Sequence, residues 1–311
     1  MKKLCALLLL LCLLPVLSAC GSRKAPESER LQVVVSAFPE YDLAKAVGGS
    51  HAEVTMLLKP GTEPHSYEPT PQDIIAIRGA KLFIYGGGES DVWADRLLAS
   101  GDLGETKVLA LMDHALLRKE ETQEYMTVEE AEEAGDEYDE HVWTSPKNMI
   151  LLTEAVRDAL TELDPANAES YKMSADGYIG ELEALDSRLR ELAETSKRKL
   201  LVFGDRFPFL YLVREYGFDY AAAFPGCSGE TDANPATVAH LIDTVKEEGI
   251  PVVFKCDLSA GKLADTIAEA SGAKVLTLYS AHTLSKADFE AGETYLSLME
   301  RNLQALREAL N

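Results

Sequence analysis

"LQVVVSAFPEYDLAKAVGGSHAEVTMLL" (Leu31–Leu58) decides the fold class. Leu31–Phe38 is a β-branched, apolar run that reads as a strand. Tyr41–Gly49 has helical character and ends in paired glycines, a common helix stop. Ala52–Leu58 is a second apolar run. Strand, helix and strand in that order make a βα unit, and such units build mainly parallel sheets.

Working outward, the alternation continues. Thr70–Ala80 reads as a helix with Thr70 as its cap and Pro71 in its first turn. Lys81–Gly88 is a strand running into a turn, and Ser145–Leu163 is a further helix. From about Pro165 to Ser196 the residues Tyr178, Leu182, Leu185, Leu189 and Leu192 recur at three and four residues, an amphipathic stripe. At ~1.5 Å per residue that helix would span ~45 Å, at least the diameter of a small domain. Strands at Lys199–Phe203, Pro251–Phe254 and Ala273–Leu278 follow, with helices over 235–249 and 294–310. The expectation is an α/β protein, two lobes of βα units with mainly parallel sheets joined by one long α-helix. The N-terminal lobe would occupy residues 31–163, the connecting helix 164–197 and the C-terminal lobe 198–311.

The first residues read as targeting signal rather than structure. Lys2 and Lys3 precede an apolar run, Leu4–Val16, and "LSAC" closes it at Cys20. The run is shorter than the ~20 residues of a spanning helix. "LSAC" resembles the lipobox of bacterial lipoproteins, which implies a signal peptide over 1–19, a lipid on Cys20 and a polar tether over 20–30. The chain carries a net charge of −22, or −24 once the two signal lysines are gone. That excess argues against nucleic acid, whose phosphates need Lys and Arg, and suits attraction of cations. Of five cysteines, Cys5 and Cys12 would leave with the signal. Cys227 and Cys256 remain as an even pair, for which a disulfide is the default in an oxidising compartment. Two buried thiols, or thiolate metal ligands, are the alternatives.

Glu120–Glu140 holds eleven acidic residues and no Lys or Arg. Mutual repulsion predicts a solvated loop, yet the run stops at His141, where "HVWTSPKNM" begins. Among six histidines, His51, His114 and His240 fall in turns or a regular helix and suit structural or surface roles. His65 sits in "KPGTEPHSYEPTP", a loop stiffened by four prolines. His141 closes the acidic run, and His282 follows the last strand. All three occupy loops after strands or before helices, where α/β folds place ligand sites. Their wide separation excludes a compact zinc-finger spacing. Taken singly, each suits a hydrogen-bonded surface role equally well. "YGGGES" (Tyr85–Ser90) lacks the Lys-Ser/Thr of a phosphate-binding loop and reads as a strand-to-helix turn. HExxH and GxSxG motifs are absent.

The stretch Val33–Gly87 resembles the N-terminal half of the metal-binding lipoproteins that feed zinc and manganese ABC importers, the cluster A-I substrate-binding proteins. That family carries a proline-rich "PG…PH.YEP.P" loop whose histidine is a ligand, here His65. "EHVWTSPKNM" is similar to its second histidine motif, at His141. The likeness covers essentially the whole mature chain. It departs at "LVFGDRFPFLYLVREYGF" (Leu201–Phe218), where the family's third ligand falls on Gly204. Asp205 is adjacent, Glu230 is another carboxylate, and His282 lies one place from Ala281, where the family usually has an aspartate. The resemblance therefore implies a metal set of His65, His141, His282 and Asp205, with Glu230 or water as alternatives at the last position. It implies capture of zinc, or else manganese, between the lobes of a lipid-anchored, extracytoplasmic monomer that delivers it to an ABC importer permease, without catalysis. The acidic run would then collect cations at the mouth, or merely solubilise. A zinc-dependent extracytoplasmic enzyme and a surface adhesin with incidental metal are the rival readings.

Overall fold

Leu31–Val35 (β1) pairs in parallel with Ala52–Met56 (β2), Leu31 opposite Ala52 through Val35 opposite Met56. This is the βα unit expected from the sequence. The computed structural model describes residues 30–101, 103–126, 137–224, 226 and 233–311. The signal peptide, Cys20, Cys227, Glu230 and the middle of the acidic run lie outside them. So the Cys227–Cys256 bond has one partner outside the described residues.

Leu82–Tyr85 (β3) and Lys107–Ala110 (β4) complete the first sheet in the order β2-β1-β3-β4. Leu200–Phe203 (β5), Asp219–Ala222 (β6), Val252–Cys256 (β7) and Lys274–Leu278 (β8) form a second in the order β6-β5-β7-β8. Every pairing is parallel. Both sheets thus repeat one winding pattern, and each has its loops gathered along the carboxyl ends of its strands, where open α/β sheets bind ligands.

The helices follow their local signals, with some shifts. Phe38–Gly48 (α1) starts three residues before the sequence reading, because Glu40 folds back to accept the Ala37 N–H at 3.1 Å and Pro39 lies in the first turn. Pro71–Gly79 (α2) has the expected Thr70 cap, whose hydroxyl accepts the Asp73 N–H. Val92–Ala99 (α3) follows β3, and Pro146–Leu163 (α4) starts at the Ser145 cap. Ala168–Thr195 (α5) is the long helix, with Tyr171, Ala175, Tyr178, Leu182, Leu185, Leu189 and Leu192 buried along one face. Beyond it come Leu210–Tyr216 (α6), Pro235–Glu247 (α7), Lys262–Ser271 (α8), Lys286–Ala291 (α9) and Tyr295–Leu310 (α10).

The α5 stripe does more than connect. One continuous apolar cluster runs from Val33 and Leu82 of the first sheet, through Leu182 and Leu185, to Phe203, Phe254 and Leu306 of the second half. Across it Tyr178 donates to Asp42 at 2.9 Å, Tyr295 to the Trp143 carbonyl at 2.7 Å, and Trp143 Nε1 to the Ser280 carbonyl at 2.9 Å. The two lobes therefore share a core.

The described arms of the acidic run, residues 120–126 and 137–140, depart from the solvated loop expected of it. Its two arms pair, Glu120 N–H with the Glu137 carbonyl and Asp139 N–H with the Arg118 carbonyl. The first arm crosses onto the second sheet. Tyr125 Oη accepts the Ala222 N–H at 2.7 Å and donates to the Ala222 carbonyl at 2.9 Å, closing the edge of β6. Arg214 grips Glu121, and the Tyr125 and His240 rings stack at 4.2 Å.

Candidate metal centre

His65 follows β2 in a short 3-10 turn, Pro64–Ser66, started by Pro64 and capped by the Glu63 carboxylate. His141 caps another such turn, Val142–Thr144, which leads into α4. His282 follows β8, next to Ala281, whose φ of 57° is left-handed, an unfavourable state for a residue with a Cβ. Strain of that kind, at a fully buried alanine, aims the next side chain at a fixed point.

The three imidazoles meet. Ring centroids lie 6.1 Å apart for His65 and His141, 5.6 Å for His65 and His282, and 5.4 Å for His141 and His282. A fourth group joins them that the sequence reading missed: Glu140. One donor atom from each of His65, Glu140, His141 and His282 lies within 4.8 Å of the others. His141, His282 and Glu140 are buried, and His65 is half-buried. The three histidines face a cavity of about 240 Å³ between the lobes, also lined by Glu63, Arg206, Asp257 and Ser280.

Electrostatics prepare the histidines to bind a cation. Burial, reinforced by His141 beside it, pushes the His65 imidazole down to about 4. Burial, then His141 and His65, hold His282 well below the ordinary histidine range. Both rings are therefore neutral at physiological pH, the form that coordinates. Protons compete with metal only in more acid solution than an unperturbed imidazole would require. His141 Nδ1 lies 2.9 Å from the Asp139 carboxylate, which orients the ring with Nε2 toward the cluster. A carboxylate behind a ligating imidazole fixes its tautomer and strengthens it as a donor.

The other sequence expectations fall differently. Gly204 cannot carry a ligand, since a Cβ there would sit 2.5 Å from the Ala264 Cα of α8. Asp205 stands outside the four-donor group. Its carboxylate accepts the Arg206 N–H at 2.9 Å and the Cys256 N–H at 3.3 Å, tying the loop after β5 to the end of β7. Cys256 is buried there. His51 packs edge-on against Tyr171, His240 stacks on Tyr125 and His114 is exposed, as structural or surface residues would be.

Comparison with known proteins adds to this geometry. A family profile described as "ZnuA: Zinc-uptake complex component A periplasmic" matches residues 33–309. The chain is 33% identical over 309 residues to the zinc-binding lipoprotein AdcA of Streptococcus pneumoniae serotype 4, covering 99% of this chain and 61% of that one. The chain thus spans about three-fifths of that relative's length. It is 29% identical over 309 residues to the high-affinity zinc uptake system protein ZnuA of Bacillus subtilis, covering 95% of this chain and 94% of that one. Among solved structures it superposes on the Zn(II)-bound ZnuA-like domain of Streptococcus pneumoniae AdcA with a TM-score of 0.75 and 31% identity, over 90% of this chain and 99% of that domain.

Proposed function

The chain belongs to the ZnuA family of zinc-uptake components, and from that premise we propose that it captures zinc between its lobes and hands it to an ABC importer permease. The carrying observation is the convergence of His65, His141 and His282, from loops far apart in sequence, on one buried point. Neutral imidazoles are the donors zinc prefers. The cation is cargo, so the site must bind without chemistry. Asp205, proposed from sequence as a ligand, acts instead as a brace for the loop after β5. Lipidation at Cys20 would hold the chain on the outer face of a membrane. No helix among the described residues is long and apolar enough to cross a membrane.

Two measurements test this. Competition against a chromophoric chelator should give tight zinc binding, tighter than manganese under matched pH. Loss of the gene should impair growth in zinc-depleted medium, restored by added zinc. Zinc binding no stronger than that of a chain lacking all three histidines would overturn the proposal.

A further inference from the structure

We propose that Glu140, through its Oε1 atom, is the fourth protein ligand of the captured cation, and that the glycine-rich turn Gly86–Ser90 seats it there. This rests on the zinc-capture reading and deepens it. Glu140 is only 5% exposed. Its Oε2 is fully occupied, accepting the Ser90 N–H at 2.8 Å and the Ser90 hydroxyl at 2.9 Å. Its Oε1 is buried and has no hydrogen-bond partner among the described residues. That oxygen lies 3.6 Å from His65 Nδ1 and 3.9 Å from His141 Nε2, too far for a hydrogen bond to either. A buried carboxylate oxygen without a partner is costly. A cation placed among the three imidazoles supplies the partner.

The spacing suits this. Zinc bonds of ~2.0–2.2 Å put tetrahedral donors about 3.3–3.5 Å apart. The donor atoms here lie within 4.8 Å of one another, so a contraction of about an ångström closes the set around the ion. The seat is specific as well. Gly88 has a φ of 83°, and a Cβ on it would fall 2.4 Å from the Glu140 Cβ. Any other residue at that position would expel Glu140 from its place. "YGGGES", which carries no phosphate signature, thus acquires a role: it admits the Glu140 side chain and pins one oxygen while leaving the other toward the histidines.

The rival carboxylates are less well placed. Both Asp205 oxygens accept backbone N–H groups. Asp257 lines the cavity and also has a buried oxygen without a partner, but it stands outside the four-donor group. With Glu140 bound, three histidines and one carboxylate saturate a tetrahedron, leaving no position for water.

Cobalt(II), which reports coordination through its visible spectrum, tests this on the intact protein. If four side chains fill the shell, azide added to the wild-type cobalt complex leaves the spectrum unchanged. In Glu140→Ala a position opens to water, and azide should then shift the bands. Glu140→Gln, which keeps the volume and the contact to Ser90, should bind zinc at least tenfold more weakly. An azide-sensitive wild-type spectrum would overturn the proposal, as would wild-type zinc affinity in Glu140→Gln or transfer of the loss to Asp257→Asn. Failure of the capture reading looks different: His141→Ala would then bind cobalt as the wild type does, whatever Glu140 does.

Discussion

At the scale of single residues, the histidines were legible and the carboxylate was not. His65 stands in a loop that four prolines make conspicuous, and His282 follows a clear strand. Glu140 is one of eleven acids in a run that reads as solvated. Its burial depends on Ser90, fifty residues upstream, and on a glycine without a Cβ, neither of which pattern can pair with it. Behind the site, Glu40 is fully buried, and burial, with Asp91 nearby, raises its carboxyl to about 8. The folded protein therefore keeps a proton on Glu40 that the unfolded chain releases near 4.5. That contribution to stability is full below the unfolded value and is lost as pH rises through about 8. Glu40→Gln should flatten the fall in melting temperature between pH 5 and 8. Parallel melting curves for the two proteins over that range would contradict the assignment. Ala281→Gly should relieve backbone strain worth about 1 kcal/mol and stabilise the metal-free protein, while loosening the aim of His282 and weakening zinc binding. Denaturant titration and zinc competition on one preparation check both signs.

At the scale of elements, length and apolar composition together separate what the sequence reveals from what it hides. The 28-residue α5 was legible because seven apolar positions repeat in phase. The six-residue α9 is too short for periodicity to register, while the four-residue β4 (KVLA) and β6 (DYAA) lack the wholly apolar runs that made the equally short β3 (LFIY) and β5 (LLVF) legible. The acidic run was misread in part for a related reason. Charge predicts the behaviour of an isolated segment, whereas Tyr125 and Glu121 gain partners only when the second sheet is in place. Tyr125→Phe removes both hydrogen bonds at the β6 edge and should cost about 1–3 kcal/mol by chemical denaturation, leaving the Ala222 backbone groups without a partner from the strap. Deleting only residues 127–136 should slow zinc capture at low ionic strength and leave equilibrium affinity nearly intact, because a collector acts on encounter. Stopped-flow capture rates that ignore both the deletion and added salt would reduce the loop to a solubilising role.

At the scale of the whole molecule, the sequence indicated two lobes, a connecting helix and a metal captured between the lobes. The two halves also share a core, because the apolar cluster passes from one sheet to the other through α5. Leu185, fully buried in that cluster, should cost about 2–5 kcal/mol when cut to Ala, with the protein still melting in one transition. On the proposed reading zinc binds in the cleft between the halves, with His65, Glu140 and His141 as donors from the first and His282 from the second. The central claim is that these donors hold one cation together. Its most direct test is zinc competition titration of the wild type beside His282→Ala, since His282 alone represents the second lobe. The account predicts one zinc per wild-type chain and a loss of roughly a hundredfold or more in the variant, at least what a ligand's supporting partner is worth. Wild-type affinity in His282→Ala would contradict it.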